Sequence, residues 1–205
     1  MTVWASSSSL PGRRIFVGVP LPDRVRASVE LLVANVRAES EPGRREVRWV
    51  RLDGLHVTLR FLGPTPEEKV ADVAAAVLAT ASSAAPFEAG LEGAGAFPDR
   101  RRPRALWLGI GIGAGQLAEL AGRLGDELAS RGWPRDERPF RSHLTLARSD
   151  GVASGPATAD HLVAAAASLS QGWAVDRIGL YESVTGQGPA RYVLLEEARF
   201  GGTPP

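Results

Sequence analysis

The sequence has no cysteine among its 205 residues, which excludes disulfides, thiolate nucleophiles and cysteine-ligated zinc or iron–sulfur sites. It has no run of 18 apolar residues, so we expect no transmembrane helix and no membrane partner. The stretch from Met1 to Leu10 is rich in serine and lacks both a basic region and a long apolar core, which argues against a signal peptide. These absences are compatible with a cytoplasmic protein, and this is the location we predict.

Strong charge of one sign is also absent. The net charge is +1, so no global field attracts nucleic acid, although a local basic patch is compatible with this balance. Lys69 is the only lysine, and nearly all basic residues are arginines. Coding bias is the simpler explanation, and recognition of phosphate by the forked guanidinium group is the functional one. Neither GxGxxG after the first predicted strand nor GxxxxGK[ST] occurs, which leaves a nucleotide-binding fold with little support.

Two short stretches share one pattern of histidine, apolar residue, threonine and leucine. They are His56-Val57-Thr58-Leu59 and His143-Leu144-Thr145-Leu146. Each alternates between polar and apolar residues, which predicts a half-buried strand. The histidine and threonine of each motif would then share one face, about 7 Å apart. The simplest arrangement places the two strands side by side, so that two imidazoles and two hydroxyls line one cleft.

The order strand, helix, strand occurs once before Phe87 and again after Ala105, and the two histidines are about one lobe apart. We therefore predict an α+β fold of two similar lobes, each an antiparallel sheet covered by helices, rather than a doubly wound α/β sheet. Residues 13–200 are predicted to form a single domain between flexible tails at 1–12 and 201–205. Late in the chain we predict a loop from Ser149 to Ala159, a helix over 160–169 and a strand over 175–184.

Two histidines in one cleft are compatible with three chemistries. A catalytic metal site normally needs three protein ligands, and neither motif carries a carboxylate on its histidine face. A Ser-His triad would need an elbow GxSxG, which is absent, and would leave one histidine unused. General acid–base catalysis uses both imidazoles, since the neutral and protonated forms coexist near neutral pH. Such a pair suits in-line displacement at phosphorus, with the two threonines donating to the non-bridging oxygens. His161 lacks the motif, and we assign it no role.

The doubled motif resembles that of the two-histidine (2H) phosphoesterase superfamily. Further similarity to the bacterial LigT/ThpR type, the RNA 2′,3′-cyclic phosphodiesterases once named 2′-5′ RNA ligases, lies in four segments: 13–19, 55–63, 138–148 and 180–183. The resemblance implies a bilobal fold with a pseudo-twofold axis, in which the histidine strands line a central cleft. It also implies hydrolysis of RNA 2′,3′-cyclic phosphate ends to 2′-phosphomonoesters, without metal or cofactor.

The resemblance also implies roles for individual residues. His56 is the general acid toward the 3′ oxygen, and His143 is the general base that activates water. Thr58 and Thr145 hold the phosphate, and Arg148 resembles the family's phosphate-binding arginine after the second motif. Strict alternation would place Arg148 on the face opposite His143, so the strand must end or twist before it. By the same rule, Arg60 shares the face of His56.

Phe16 and Tyr181 are candidates to stack a terminal base, with packing in the core as the alternative. The implied partner is RNA with a cyclic phosphate end, such as tRNA fragments, or small cyclic nucleotides, and we expect a monomer. Two other functions stay open. One is reversible 2′-5′ ligation at the same site, and the other is a non-catalytic module that binds RNA ends.

Overall fold

The computed structural model describes residues 12–39, 47–149, 154–186 and 188–201. The predicted tails, apart from Gly12 and Gly201, lie outside these residues. The strands are β1 Arg13–Pro20, β2 Val47–Trp49, β3 His56–Thr65, β4 Phe87–Phe97, β5 Ala105–Ile110, β6 His143–Ser149, β7 Gln171–Val175, β8 Arg177–Gly186 and β9 Gly188–Arg199. The helices are α1 Asp23–Glu39, α2 Glu67–Ser82, α3 Ala114–Ser130 and α4 Ser154–Ala166. None of the helices in these described ranges is long and apolar enough to cross a membrane.

The strands form two antiparallel sheets, which confirms the predicted α+β fold. One sheet has the order β3-β1-β8-β9 and the other the order β2-β6-β5-β4-β7. The two histidine strands are therefore not neighbours in one sheet, contrary to the simplest arrangement. Strand β3 is the edge of the first sheet, β6 lies inside the second, and the two strands contact each other where the sheets meet.

The two lobes are interleaved along the chain rather than being its two halves. Helix α2 packs on β8 and β9, and α3 packs on β3, so both cover the first sheet. Helix α1 follows a strand of the first sheet but packs on β7 and α4, on the side of the second sheet. Strand β2 likewise precedes β3 in sequence but pairs with β6. Each lobe therefore holds an element supplied from the other part of the chain.

Amphipathic spacing explains how the helices attach to the sheets. In α1 the buried apolar residues are Val25, Val29, Leu32, Val33 and Val36, which recur every three or four positions along one face. Strand β1 is buried from Ile15 to Val19, as expected for a central strand with covered faces. Burying each such valine or leucine contributes roughly 1.5–3 kcal/mol. This apolar core fixes the sheets that carry the histidine motifs.

The predicted elements between Ser149 and Val184 were wrong in part. Helix α4 begins at Ser154, inside the predicted loop, and buries Gly155, Thr158 and Ala159 on one face. A Cβ at Gly155 would lie 2.4 Å from Ser149 Oγ, so the small residue permits close packing on the sheet. The strand predicted over 175–184 corresponds to β8, which begins at Arg177, and the sequence analysis missed β7, which pairs with β4.

Candidate active site

The two motif histidines are held by the same backbone hydrogen bond. Nδ1 of His56 lies 2.8 Å from the carbonyl oxygen of Gly54, and Nδ1 of His143 lies 2.7 Å from that of Arg141. Because a carbonyl oxygen only accepts, Nδ1 carries the proton in both rings. The Nε2 atom of each ring is then the one that is free to accept or donate a further proton.

A β-bulge follows each motif at the same position, the third residue after the histidine. On β3, Thr58 pairs with Gly18 and Arg60 with Val17, so Leu59 has no partner. On β6, Thr145 pairs with Trp107 and Ala147 with Leu106, so Leu146 has none. An extra residue reverses the faces of the residues that follow it.

The second bulge settles where Arg148 points. Strict alternation placed Arg148 opposite His143, but the bulge at Leu146 returns it to the face of His143 and Thr145, where it lines the cleft. The strand neither ends nor needs a sharp twist, since β6 continues to Ser149. The bulge at Leu59 turns Arg60 away from the face of His56, on which it was expected. Its side chain is only 11% exposed and forms an ion pair with Asp136.

The two sheets enclose a cleft of about 290 Å³. Its described lining residues are Arg14, Phe16, Val50, Gly54, Leu55, His56, Thr58, Phe61, Thr145, Arg148, Ser183, Thr185, Ala190 and Tyr192. This set contains two guanidinium groups and no carboxylate, which makes the cleft suited to an anion. It brings together the predicted residues His56, Thr58, Thr145 and Arg148, and also Phe16. His143 and Tyr181 are not in the lining set, although His143 shares a strand face with Thr145.

Aromatic rings surround His56. Phe16 stacks on it with ring centroids 4.4 Å apart, Tyr192 meets it edge-on at 5.0 Å, and Tyr181 lies at 6.2 Å. Burial among these rings lowers the pKa of His56, and the hydrogen bond with Gly54 opposes this in part. A Cβ at Gly18 would lie 3.1 Å from Cδ2 of His56, so glycine leaves room for the imidazole at this point.

Phe16 itself is only 3% exposed, and its ring contacts His56, Tyr181 and Tyr192. This burial is at odds with the prediction that Phe16 stacks a base, and it agrees with the alternative of packing. Tyr181 is half-buried beside Phe16. Burial raises the pKa of the Tyr181 and Tyr192 phenols, so both keep their protons at neutral pH.

His143 has a different surrounding. Phe97 meets it edge-on with ring centroids 5.1 Å apart, and Trp107 lies at 6.4 Å. These two rings also contact each other at 5.2 Å. His143 is thus supported from one side of the second sheet rather than enclosed.

The sequence analysis missed several residues of the cleft. Phe61 is 48% exposed, and the guanidinium of Arg14 lies 4.8 Å from the centre of its ring. Tyr192, Ser183 and Thr185 come from β8 and β9, far away in sequence. A signal for Phe61 existed, because it is the fifth residue after His56 just as Arg148 is the fifth after His143. Ser183 lies in the segment 180–183 that resembles the family, whereas Thr185 and Tyr192 had no comparable signal in the sequence.

No group of three or more histidine, aspartate or glutamate side chains that could hold a metal ion occurs within the described parts of the chain. Metal independence stays a prediction for an experiment with a chelator.

The sequence matches the family model described as the 2′-5′ RNA ligase superfamily over residues 21–187. It is 31% identical over 190 residues to a protein of Thermotoga maritima named RNA 2′,3′-cyclic phosphodiesterase, with 92% of this chain and 96% of that one covered. It is 35% identical over 133 residues to a protein of the same name from Geobacillus stearothermophilus, with 65% of this chain covered. That alignment spans only 41% of the Geobacillus protein.

The fold is similar to that of Escherichia coli LigT in a crystal structure with 3′-AMP. The TM-score is 0.68, the sequence identity is 27%, and the match covers 93% of this chain and 99% of the other.

Proposed function

The chain belongs to the 2′-5′ RNA ligase superfamily, and we propose that it hydrolyses RNA 2′,3′-cyclic phosphate ends to 2′-phosphomonoesters. One observation carries the proposal: His56, Thr58, Thr145 and Arg148 line one cleft that holds no carboxylate among its described lining residues. His143 shares the strand face of Thr145 and Arg148. Two imidazoles, two hydroxyls and one guanidinium supply what an anionic phosphodiester needs.

The proposed reaction uses one histidine for each proton transfer. Nε2 of His143 takes a proton from water, and the water oxygen forms a bond to phosphorus. The bond from phosphorus to the 3′ oxygen breaks, and Nε2 of His56 gives its proton to that oxygen. The phosphate stays on the 2′ oxygen. The roles of acid and base follow the family resemblance.

Thr58, Thr145 and Arg148 would hold the phosphate during this displacement. None of the described residues forms a hydrogen bond with either threonine hydroxyl, so both can donate to non-bridging oxygens. The guanidinium of Arg148 would neutralise the charge that grows on those oxygens. Donors positioned before the reaction contribute because they need no reorganisation as charge develops.

The burial of His56 sets a condition on its role as acid. Because its pKa is lowered in the free protein, the protonated form is the minor one at neutral pH. An anionic cyclic phosphate in the cleft favours the imidazolium form and raises the pKa. Substrate binding would therefore prepare the acid for the step that needs it.

For the terminal base, Phe61 is better placed than Phe16. Its ring is exposed in the cleft beneath Arg14, whereas the ring of Phe16 is covered. Exposed aromatic rings and arginine planes are surfaces on which bases of single-stranded RNA stack. Tyr181 keeps this role only as a prediction.

The test is an assay of a dinucleotide that ends in a 2′,3′-cyclic phosphate, with and without EDTA. We expect EDTA-resistant conversion to the 2′-phosphate, resolved from the 3′-phosphate by chromatography. Exclusive 3′-phosphate, or loss of activity on chelation with recovery on added zinc or manganese, would contradict the mechanism. Binding without turnover would indicate a non-catalytic module, and joining to an added 5′-hydroxyl RNA would indicate ligation. The monomeric state, the cytoplasmic location and the choice of tRNA fragments or small cyclic nucleotides stay predictions.

A further inference from the structure

Two arginines lie directly opposite each other on neighbouring strands beside the cleft. Arg48 of β2 pairs in register with Arg148 of β6, and both side chains are exposed. Directly opposite residues of an antiparallel pair point to the same face. Like charges in this position are destabilising, so the pair calls for an explanation.

Three other arginines of the described chain differ from this pair in having acidic partners. Arg13 binds Glu67 at 2.7 Å, Arg51 binds Asp53 at 2.5 Å, and Arg60 is paired with Asp136. In the described parts of the chain, no carboxylate pairs with Arg48 or with Arg148. Their charges are therefore available to an anion from outside the protein.

Arg48 lies just outside the cleft. Val50, two residues further along, lines the cleft and forms a backbone hydrogen bond with Leu146. Alternation along an extended chain puts Arg48 on the same side as Val50, about 7 Å beyond it. Arg48 is outside the lining set of the cleft. It thus extends the surface of the cleft outward beside Arg148, on the neighbouring strand.

We propose that Arg48 binds the phosphodiester that links the terminal nucleoside of the RNA to the preceding one. This inference rests on the proposed function, in which Thr58, Thr145 and Arg148 hold the cyclic phosphate. A nucleoside 2′,3′-cyclic phosphate has no second phosphate, whereas every longer RNA end has one. The guanidinium of Arg48 can bind a non-bridging oxygen pair of that diester through its forked donors. Arg48 therefore favours oligonucleotides over mononucleotides.

The experiment measures kcat/KM on two substrates, adenosine 2′,3′-cyclic phosphate and a tetra-adenylate ending in a 2′,3′-cyclic phosphate. Arg48→Gln should lower the ratio of the oligonucleotide value to the mononucleotide value about fivefold, through loss of one solvent-exposed charged contact. The logarithmic salt dependence for the oligonucleotide should weaken by about 0.7, the value for one phosphate on a single strand. The matched control is Arg37→Gln, which removes the same charge from an exposed site on α1 and should leave the ratio unchanged.

Two results would overturn the proposal. An unchanged ratio in Arg48→Gln would mean that the charge only protects the edge strand β2 from pairing with other chains. An equal loss on both substrates would place Arg48 at the scissile phosphate. If the wild-type protein hydrolyses neither substrate, the proposed function fails. The role of Arg48 is then tested by measuring the binding of 3′-phosphorylated RNA. In that case Arg48→Gln should weaken binding of tetra-adenylate 3′-phosphate more than binding of adenosine 3′-phosphate, and equal effects would reject the site.

Discussion

The strands β3 and β6 present the same backbone with different surroundings. Each carries histidine and threonine on one face, an Nδ1 hydrogen bond to the carbonyl two residues before the histidine, and a bulge three residues after it. Beside Thr58 the neighbouring strand has Gly18, whereas beside Thr145 it has Trp107. The repeated backbone presents the imidazoles of His56 and His143 in the same way, and the neighbouring residues give the two rings different surroundings.

The inequality has a chemical consequence. His56 sits among three aromatic rings that lower its pKa, while His143 is flanked on one side by Phe97 and Trp107. At the fifth position after each histidine, the first lobe has an aromatic ring in Phe61 and the second has a cation in Arg148. In the proposed mechanism, the repeated motif supplies an acid and a base of one residue type, and the different packing around them distinguishes their roles.

The largest expected effect comes from removing either imidazole. His56→Ala and His143→Ala should each lower kcat/KM on an unactivated cyclic phosphate by roughly 10²–10⁴-fold, the usual contribution of a general acid or base. The control is His161→Ala, which removes the remaining histidine and should retain turnover. Circular dichroism should show that all three variants fold. Near-normal turnover in either motif variant would break the assignment of two imidazoles.

A substrate with a good leaving group should separate the two histidines. Such a substrate needs little help from an acid, so His56→Ala should recover much of its rate while chemistry is still rate-limiting. His143→Ala should stay slow, because the water still lacks a base. Rates on activated and unactivated substrates measure the difference. Rescue of the His143 variant instead would exchange the two roles.

Phe61 and Arg148, the fifth residues after the two motif histidines, should differ in their effect on the binding of inorganic phosphate. Arg148→Ala should weaken competitive inhibition by inorganic phosphate about tenfold or more, since a hydrogen bond to a charged group contributes about 1.5–3 kcal/mol. Phe61→Ala should leave this inhibition constant nearly unchanged and should raise KM for a nucleotide substrate. Equal effects of both variants on phosphate inhibition would show that the two positions have not diverged.

The smallest expected effect is a shift in pH dependence. If His56 is the acid, kcat/KM falls as pH rises through the pKa of His56, and burial moves this alkaline limb to lower pH. Tyr192→Ala admits water to the ring of His56, so the limb should move to higher pH. The conservative variant Tyr192→Phe keeps the ring and should leave the limb in place. If Tyr192→Ala instead moves the low-pH limb of the profile, His56 acts as the general base.

The local predictions were most accurate where a strong pattern lies within one element. The two histidine motifs were predicted as strands, and they begin β3 at His56 and β6 at His143. The local predictions failed for α4, where Gly155 and Ala159 suggested a loop but serve close packing on the sheet. They also missed β7, because Gln171–Val175 becomes a strand through its pairing with β4.

The sequence alone determined the chemical groups and their repetition: two histidines and two threonines in one pattern, without cysteine and with arginine as the main cation. These features depend only on residue identity and on the two-residue period of a strand, so they can be predicted locally. Tertiary structure alone decided that Arg148 faces the cleft, that Arg60 turns away to Asp136, and that Phe16 is covered. Each outcome depends on how a strand is registered against its neighbour, and one unpaired residue reverses the faces beyond it. Register arises from contacts between residues far apart in the chain, and no local pattern encodes it.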